Sequence, residues 1–356
     1  MKAHDVMNIP GNLYLEGKPG RTCRVEGQEF MFFSGYNYLG VNEDEEFIAL
    51  VNEGIAKYGW VFPSSRISNT RLALYEECEA MLSAITGTEE TVLMPSGYAA
   101  GRMATTYFEG YVINAPGSHP AILQGKASRI DFQQWKNWLV NGYVKPKTAV
   151  PLVVASDALS PLTAQINDFS FLTELPPSTI AVIDDSHGIG MLGENGRGIS
   201  ATLPYDGSIE YLLTYSLAKA FGIAGGAVSC TSARAAFFRS LPEYTGVTPL
   251  SPAQIYAFIK GQDIYQRQRE KLRFNINYFR KCISNLTGIG YAEGFPVFIL
   301  PPGIDEKQLF QHSILISSFS YPDPAGQKLN RIVLNALHTK DDLEKLAQVL
   351  CIIYPT

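Results

Sequence analysis

The chain has 356 residues, of which 46% are hydrophobic and 18% charged, with a net charge of −5 and an isoelectric point near 5.6. That length suits about two domains, and the acidic balance excludes the basic footprint of a nucleic-acid binder. No apolar run reaches the roughly 18–20 residues that cross a bilayer, and Met1 to Gly11 lacks the basic-then-apolar pattern of a secretory leader.

The elements follow in chain order. Residues 1–33 read as an irregular arm ending in a short strand at 30–33, after a Gly17-Lys-Pro-Gly20 turn. Residues 43–58 predict a helix with acids in its first turn, and 72–85 a second helix closed at Thr86-Gly87. A strand at 91–94 runs into Pro95-Ser96-Gly97-Tyr98, the start of another helix. Short apolar runs then recur at 111–114, 150–155, 180–183, 211–215 and 227–230, most of them rich in Val and Ile. That rhythm predicts an α/β fold with a mostly parallel sheet covered on both faces. Residues 251–286 are polar and helical, 296–301, 314–319 and 332–335 read as strands, and a helix closes the chain over 339–350. The expected division is an N-terminal arm over 1–40, a large domain over 41–240 and a smaller α+β domain over 241–356.

The five cysteines (Cys23, Cys78, Cys230, Cys282, Cys351) are scattered and never spaced as CxxC. They predict reduced thiols in a cytoplasm, with neither a disulfide framework nor a metal site.

Ligands of an open α/β sheet lie outside the carboxyl ends of its strands. Asp184 and His187, in Ile180-Ala-Val-Ile-Asp184-Asp-Ser-His187-Gly188, fall at one such end, and Ser216 and Lys219, in Thr214-Tyr-Ser216-Leu-Ala-Lys219-Ala-Phe-Gly222, fall at the next. A lysine amine paired with a distant carboxylate predicts pyridoxal 5′-phosphate. Lys219 would hold the cofactor as a Schiff base, and Asp184 would keep its pyridine nitrogen protonated. Ser96, Gly97 and Tyr98 offer backbone N–H groups at a helix start for the phosphate, Ser216 adds a hydroxyl, His119 is placed to stack on the ring, and His187 to bond its hydroxyl. Taken singly, a lysine after a strand is a solvated charge, an Asp at a strand end is a turn residue, and a lone histidine is structural. The order and spacing together carry the reading.

Over nearly its whole length the chain resembles the α-oxoamine synthases, a group of fold-type I pyridoxal phosphate enzymes that includes 8-amino-7-oxononanoate synthase, glycine C-acetyltransferase, 5-aminolevulinate synthase and serine palmitoyltransferase. Phe33-Ser-Gly-Tyr-Asn-Tyr-Leu-Gly40 is similar to F-S-S-N-D-Y-L-G, and Ser118-His119-Pro120 to the segment carrying the ring-stacking histidine. Ile183-Asp184-Asp-Ser-His187-Gly188 with Leu192-Gly-Glu-Asn-Gly-Arg-Gly198 is similar to V-D-D-A-H-G…G-E-x-G-R-G, the most specific stretch. Ser216-Leu-Ala-Lys219-Ala-Phe-Gly222 resembles T-x-S-K-A-F-G, and Pro324-Ala-Gly326, Arg331 and Ala336-Leu-His338-Thr339 echo the C-terminal domain. The resemblance implies a large domain with a seven-stranded-type sheet and a homodimer with shared active sites, in which Thr248 reaches the phosphate of the neighbouring subunit.

Four positions depart from the family pattern. Tyr36 stands where an asparagine is usual, Tyr75 where a histidine, Ser156 where a glutamate, and Phe319 near the arginine that binds the amino acid's carboxylate. Losing a bidentate arginine is not neutral for a carboxylate substrate, so the expectation is either an unusual amino substrate or another group, such as Arg66 or Arg331, on its carboxylate. The implied reaction is the decarboxylating condensation of an amino acid with an acyl-CoA. Amino transfer by the same cofactor on an atypical amine is the alternative, and a non-catalytic binding protein of the same fold a distant one.

Overall fold

Short runs of Val, Ile, Leu and Ala form the centre of the larger of two units. The structure is a computed structural model that describes residues 13–108, 112–125, 130–143, 151–320, 326 and 328–354. Tyr111, Val150, Pro324 and Ala325, used in the sequence reading, lie outside the described residues. One unit comprises Asp44–Ser160 and Gln165–Gln266, and the other the described residues up to Glu43, Pro161–Ala164 and the chain from Arg267 on.

The sheet of the larger unit has the order Glu90–Met94, Gly226–Cys230, Ile209–Ser216, Thr179–Asp184, Val153–Asp157, Val112–Asn114. The last four strands are mutually parallel, and Gly226–Cys230 runs antiparallel to both neighbours. The sheet therefore has six strands among the described residues, where the resemblance implies seven. Val92, Val153, Val182, Leu212 and Val228 are completely buried, one from each of five strands. Burial on both faces explains why these strands read as continuous apolar runs.

Register matters most for the site. Asp157 is paired with Asp184, and Asp184 with Thr214. On the next strand Ser216 is opposite Gly226, which is opposite Met94. The loops that carry Ser96, His119, His187 and Lys219 thus leave the sheet along one edge.

The helices begin and end where side chains can cap them. Asp44 accepts the Glu46 and Phe47 N–H groups at the start of Glu45–Tyr58, and Gly87 closes Leu74–Thr86 in the left-handed conformation. The helical run expected over 251–286 is two helices, Pro252–Lys260 and Gln262–Cys282, separated at Gly261. Pro252–Lys260 packs against Glu45–Tyr58 and Leu74–Thr86. For that reason residues 241–266, expected in the smaller domain, group with the sheet-bearing unit.

The smaller unit is built on a second six-stranded sheet, in the order Thr22–Val25, Gln28–Phe33, Ile314–Ser320, Lys328–Val333, Val297–Ile299, Gly290–Tyr291. The arm supplies two of its strands, and Gln28–Phe33 pairs in parallel with Ile314–Ser320. Helix Lys340–Ile353 starts from a capping box between Thr339 and Asp342, and Asp342 also receives Nε and Nη2 of Arg21 at 2.7 and 3.0 Å. Among the described residues no helix is long and apolar enough to cross a membrane.

His338 shows how this unit is fastened. Its Nδ1 accepts the Asn335 N–H at 3.1 Å, its Nε2 lies 3.1 Å from the Phe32 carbonyl, and its ring stacks on Phe33 at 4.2 Å. This pattern requires the neutral tautomer with the proton on Nε2. Burial lowers its pKa to about 4 from an ordinary 6.5. The unfolded chain then binds a proton below about pH 6.5 that the folded chain refuses until about pH 4, so stability falls as pH drops through that window. The loss expected from this one group is about 3 kcal/mol. Denaturant unfolding of wild type and His338→Gln at pH 7 and pH 5 measures it, and the variant should lose less stability between the two pH values.

Candidate active site

The lysine loop is short and closed on itself. After strand Ile209–Ser216 the Ser216 hydroxyl accepts the Ala218 N–H at 3.2 Å, Leu217 N–H donates to the Gly225 carbonyl at 2.9 Å, and Ile223 N–H to the Leu217 carbonyl at 3.2 Å. This holds Lys219 half-buried, with its Nζ 2.9 Å from Nε2 of His187. An ammonium donates to that nitrogen when His187 carries its own proton on Nδ1.

The His187 loop leaves the neighbouring strand. Asp184 is buried at its end, and its Oδ1 accepts the Ser186 N–H at 2.9 Å. The Ser186 hydroxyl in turn accepts the Ser216 N–H at 2.9 Å, tying the acid's loop to the lysine's. Asp185 is buried too, but its Oδ2 accepts the Ile199 N–H at 2.8 Å. Burial holds its carboxyl well above the usual carboxylate range.

Ser96 caps helix Gly97–Thr106 by accepting the Ala99 N–H at 3.1 Å. The Gly97 and Tyr98 N–H groups, at the first helical positions, have no acceptor within the helix. A Cβ on Gly97 would lie 2.8 Å from the Ser216 Cβ and 3.0 Å from its backbone nitrogen. Only glycine therefore allows this helix start to reach the strand that leads to Lys219. Tyr98 is 55% exposed.

His119 lies beyond strand Val112–Asn114. Its backbone N–H donates to Oδ2 of Asp157 at 2.8 Å, and its Nδ1 accepts the Ala121 N–H at 3.1 Å. The side chain is accessible to solvent. Desolvation lowers its pKa, Asp184 opposes that shift, and Lys219 reinforces it. The imidazole is thus held neutral, between the acid and the amine.

The structure therefore brings Lys219, Asp184, His119 and His187 together, with Ser96, Gly97 and Ser216 beside them. Thr248 stands apart, exposed in the loop before Pro252–Lys260. Tyr75 is fully buried and donates to the Leu250 carbonyl at 2.7 Å, which makes it part of the core. Ser156 is buried with its hydroxyl on the Asp157 carbonyl at 3.0 Å. Arg66 is buried against Glu79 at 3.2 Å and lies 4.5 Å over the Tyr75 ring. That charge is committed, so Arg66 is a poor candidate for a substrate carboxylate. In the smaller unit Arg331 lies 4.9 Å over the Phe319 ring, donates to the Pro161 carbonyl at 3.2 Å, and has no carboxylate partner among the described residues. The residue missed in the sequence is Asp157. It was legible as an acid at the carboxyl end of an apolar strand, the same signal that marks Asp184.

A primary amine, a buried carboxylate, an imidazole and a helix start admitting no Cβ make a donor set that fits a phosphorylated aldehyde of the pyridoxal type. The family model for aminotransferase class I and II matches residues 163–350, more than half of the length. The chain belongs to the aminotransferase class I and II family. It is 25% identical over 351 residues to 8-amino-7-oxononanoate synthase of Thermosipho melanesiensis, covering 93% of this chain and 90% of that protein. Serine palmitoyltransferase from S. paucimobilis superposes with a TM-score of 0.82 at 19% identity, over 97% of this chain and 93% of that one. The 8-amino-7-oxononanoate synthase of Francisella tularensis does so with a TM-score of 0.72 at 21% identity, over 90% and 96%. The fold-type I architecture and the resemblance to the α-oxoamine synthases are both borne out. This member of the aminotransferase class I and II family is a pyridoxal phosphate-dependent transferase.

Gly97→Ala forces a methyl group against Ser216, and overpacking of this kind costs about 1–3 kcal/mol. We expect pyridoxal phosphate to bind at least about fivefold more weakly in an absorbance titration. An unchanged titration would show that the helix start does not face the cofactor.

Proposed function

We propose that this enzyme condenses an amino acid with an acyl thioester, probed as acyl-CoA, with loss of carbon dioxide to give an α-oxoamine. The observation that carries the reading is the meeting of the Lys219 amine, the Asp184 carboxylate and the His119 ring at one edge of the sheet. Bound pyridoxal phosphate supplies an electron sink for negative charge at the substrate's α-carbon. Lys219 would hold the cofactor, and its free Nζ would take the α-proton. His187, 2.9 Å from that nitrogen, orients it. Asp184 keeps a proton on the ring nitrogen, and His119 covers the ring without adding positive charge. The Gly97 and Tyr98 N–H groups and the Ser96 and Ser216 hydroxyls take the phosphate. The new carbon–carbon bond forms at the acyl carbon as the carbon–sulfur bond breaks. The thiol leaves, the carboxylate departs as carbon dioxide, and a proton returns to the α-carbon.

We further propose a homodimer in which Thr248 serves the partner's phosphate site. The substrates are small molecules, and the scattered thiols favour the cytoplasm.

The test is release of free thiol from acyl-CoA with a panel of amino acids. Lys219→Ala should lower the rate by at least ~10²-fold, the lower end for a lost general base. Conversion of an oxo acid to an amino acid without thiol release would instead establish amino transfer, the second reading, which the altered positions Tyr36 and Phe319 favour.

A further inference from the structure

Asp157 has no part in the mechanism above, yet it occupies the centre of the site's edge. It is in register with Asp184 on the adjacent parallel strand. Residues so paired project from the same face of the sheet, on strands about 4.8 Å apart. Its backbone is pinned from two sides. Its carbonyl accepts Nδ2 of Asn167 at 2.8 Å, and the next N–H, that of Ala158, donates to the Asp184 carbonyl at 2.8 Å. The carboxyl group cannot drift to bulk water without breaking its 2.8 Å bond to the His119 N–H.

The charged and titratable groups facing it are Asp184 from the neighbouring strand, Lys219 from the loop after Ile209–Ser216, and His119 from the segment after Val112–Asn114. Burial and the Asp184 charge push the Asp157 carboxyl well above the usual range, and the His119 N–H and Lys219 oppose this without reversing it. A second negative charge beside Asp184 is costly, which favours the neutral form of Asp157.

We propose that Asp157 is a positioning residue held as a neutral acid, which anchors the His119 segment through Oδ2 and leaves Asp184 as the carboxylate that faces the cofactor ring. This rests on the reading of Lys219 and Asp184 given under the proposed function. A neutral Asp157 keeps the negative charge of the strand edge on one residue. It also fixes the backbone from which the His119 ring projects without adding a second charge.

Asp157→Asn and Asp157→Ala separate these roles. The asparagine keeps an acceptor for the His119 N–H and removes only the ability to ionise. The alanine removes the acceptor. In the cofactor-free protein, infrared difference spectra of wild type against Asp157→Asn near neutral pH should show a protonated carboxylic acid lost from the wild type. With pyridoxal phosphate added, the pH midpoint of the visible band of the Lys219-bound cofactor should be unchanged in Asp157→Asn. Asp157→Ala should bind cofactor about tenfold more weakly, the upper end for losing one hydrogen-bond acceptor, and Asp157→Asn should not.

The proposal is overturned if no protonated-acid signal is lost, or if the midpoint falls by about one unit or more in Asp157→Asn, as removal of a nearby negative charge would cause. It is equally overturned if the asparagine weakens binding as much as the alanine. Should wild type show no visible band with added cofactor, the Lys219 reading fails, while the infrared comparison still decides the charge state of Asp157.

Discussion

The candidate site depends on a buried acid that faces away from it. Asp185 takes the Ile199 N–H on Oδ2, donates its own N–H to the Thr214 carbonyl at 2.8 Å, and accepts the Gly188 and Ile189 N–H groups on its carbonyl at 2.9 and 3.0 Å. A Cβ on Gly188 or Gly198 would come within 2.1 or 1.9 Å of its carboxyl oxygens. Two glycine-bearing loops therefore close on one carboxyl group, and the chain between them has little freedom. Because side chains alternate along an extended backbone, fixing Asp185 inward aims Asp184 the other way, and the turn that follows returns His187 towards Lys219. The paired acids in Asp184-Asp185 thus divide two tasks, one structural and one chemical.

The electrostatics follow from that geometry. An amine that must both hold a carbonyl and move a proton needs few competing charges around it. Desolvation answers this for His119, which is kept neutral, and for Asp185, whose carboxyl is raised well out of the carboxylate range. The helix start at Gly97 adds partial positive charge through oriented N–H groups, with no titratable group. The positive field on an incoming phosphate therefore persists across pH, whereas lysines in the same place would bring mobile charges beside Lys219.

Much of this was legible in the sequence because its determinants are local. Asp184, His187, Ser216 and Lys219 lie at the ends of apolar runs, and a parallel sheet gathers such ends by construction. What escaped depends on tertiary packing. The strand Thr22–Val25 alternates in burial, with Cys23 and Val25 inward, but at four residues it is too short to stand out and forms because Gln28–Phe33 offers it an edge. Helix Phe132–Asn141, absent from the sequence reading, carries a capping box between Asp131 and Gln134 and buries Trp135 and Leu139 on one face. The break at Gly261 has a packing cause, since a Cβ there would meet the Ala257 carbonyl at 2.8 Å and the Phe47 ring at 3.2 Å. The grouping of residues 241–266 with the sheet-bearing unit follows from contacts of Pro252–Lys260 with helices some 200 positions earlier in the chain, which no local pattern reveals.

Substrate recognition is harder to read than cofactor binding for a related reason. Cofactor contacts come from motifs with fixed spacing, but a carboxylate anchor can be any arginine whose charge is left over. Arg66 and Arg331 are equivalent as letters. In the structure Arg66 is held between Glu79 and the Tyr75 and Tyr244 rings. Taking it for a substrate would remove one of the two guanidinium partners of Glu79, whose Oε1 also accepts the Leu93 N–H at 3.1 Å and whose Oε2 pairs with Arg239 at 3.1 Å. Such a network is costly to open, because breaking one pair leaves buried charge less well compensated. Arg331 has the opposite standing. Burial lowers its pKa, and it meets the Pro161 carbonyl and the Phe319 face rather than a carboxylate. Among the described residues Arg331 is a desolvated guanidinium with no acid beside it, where Arg66 has two.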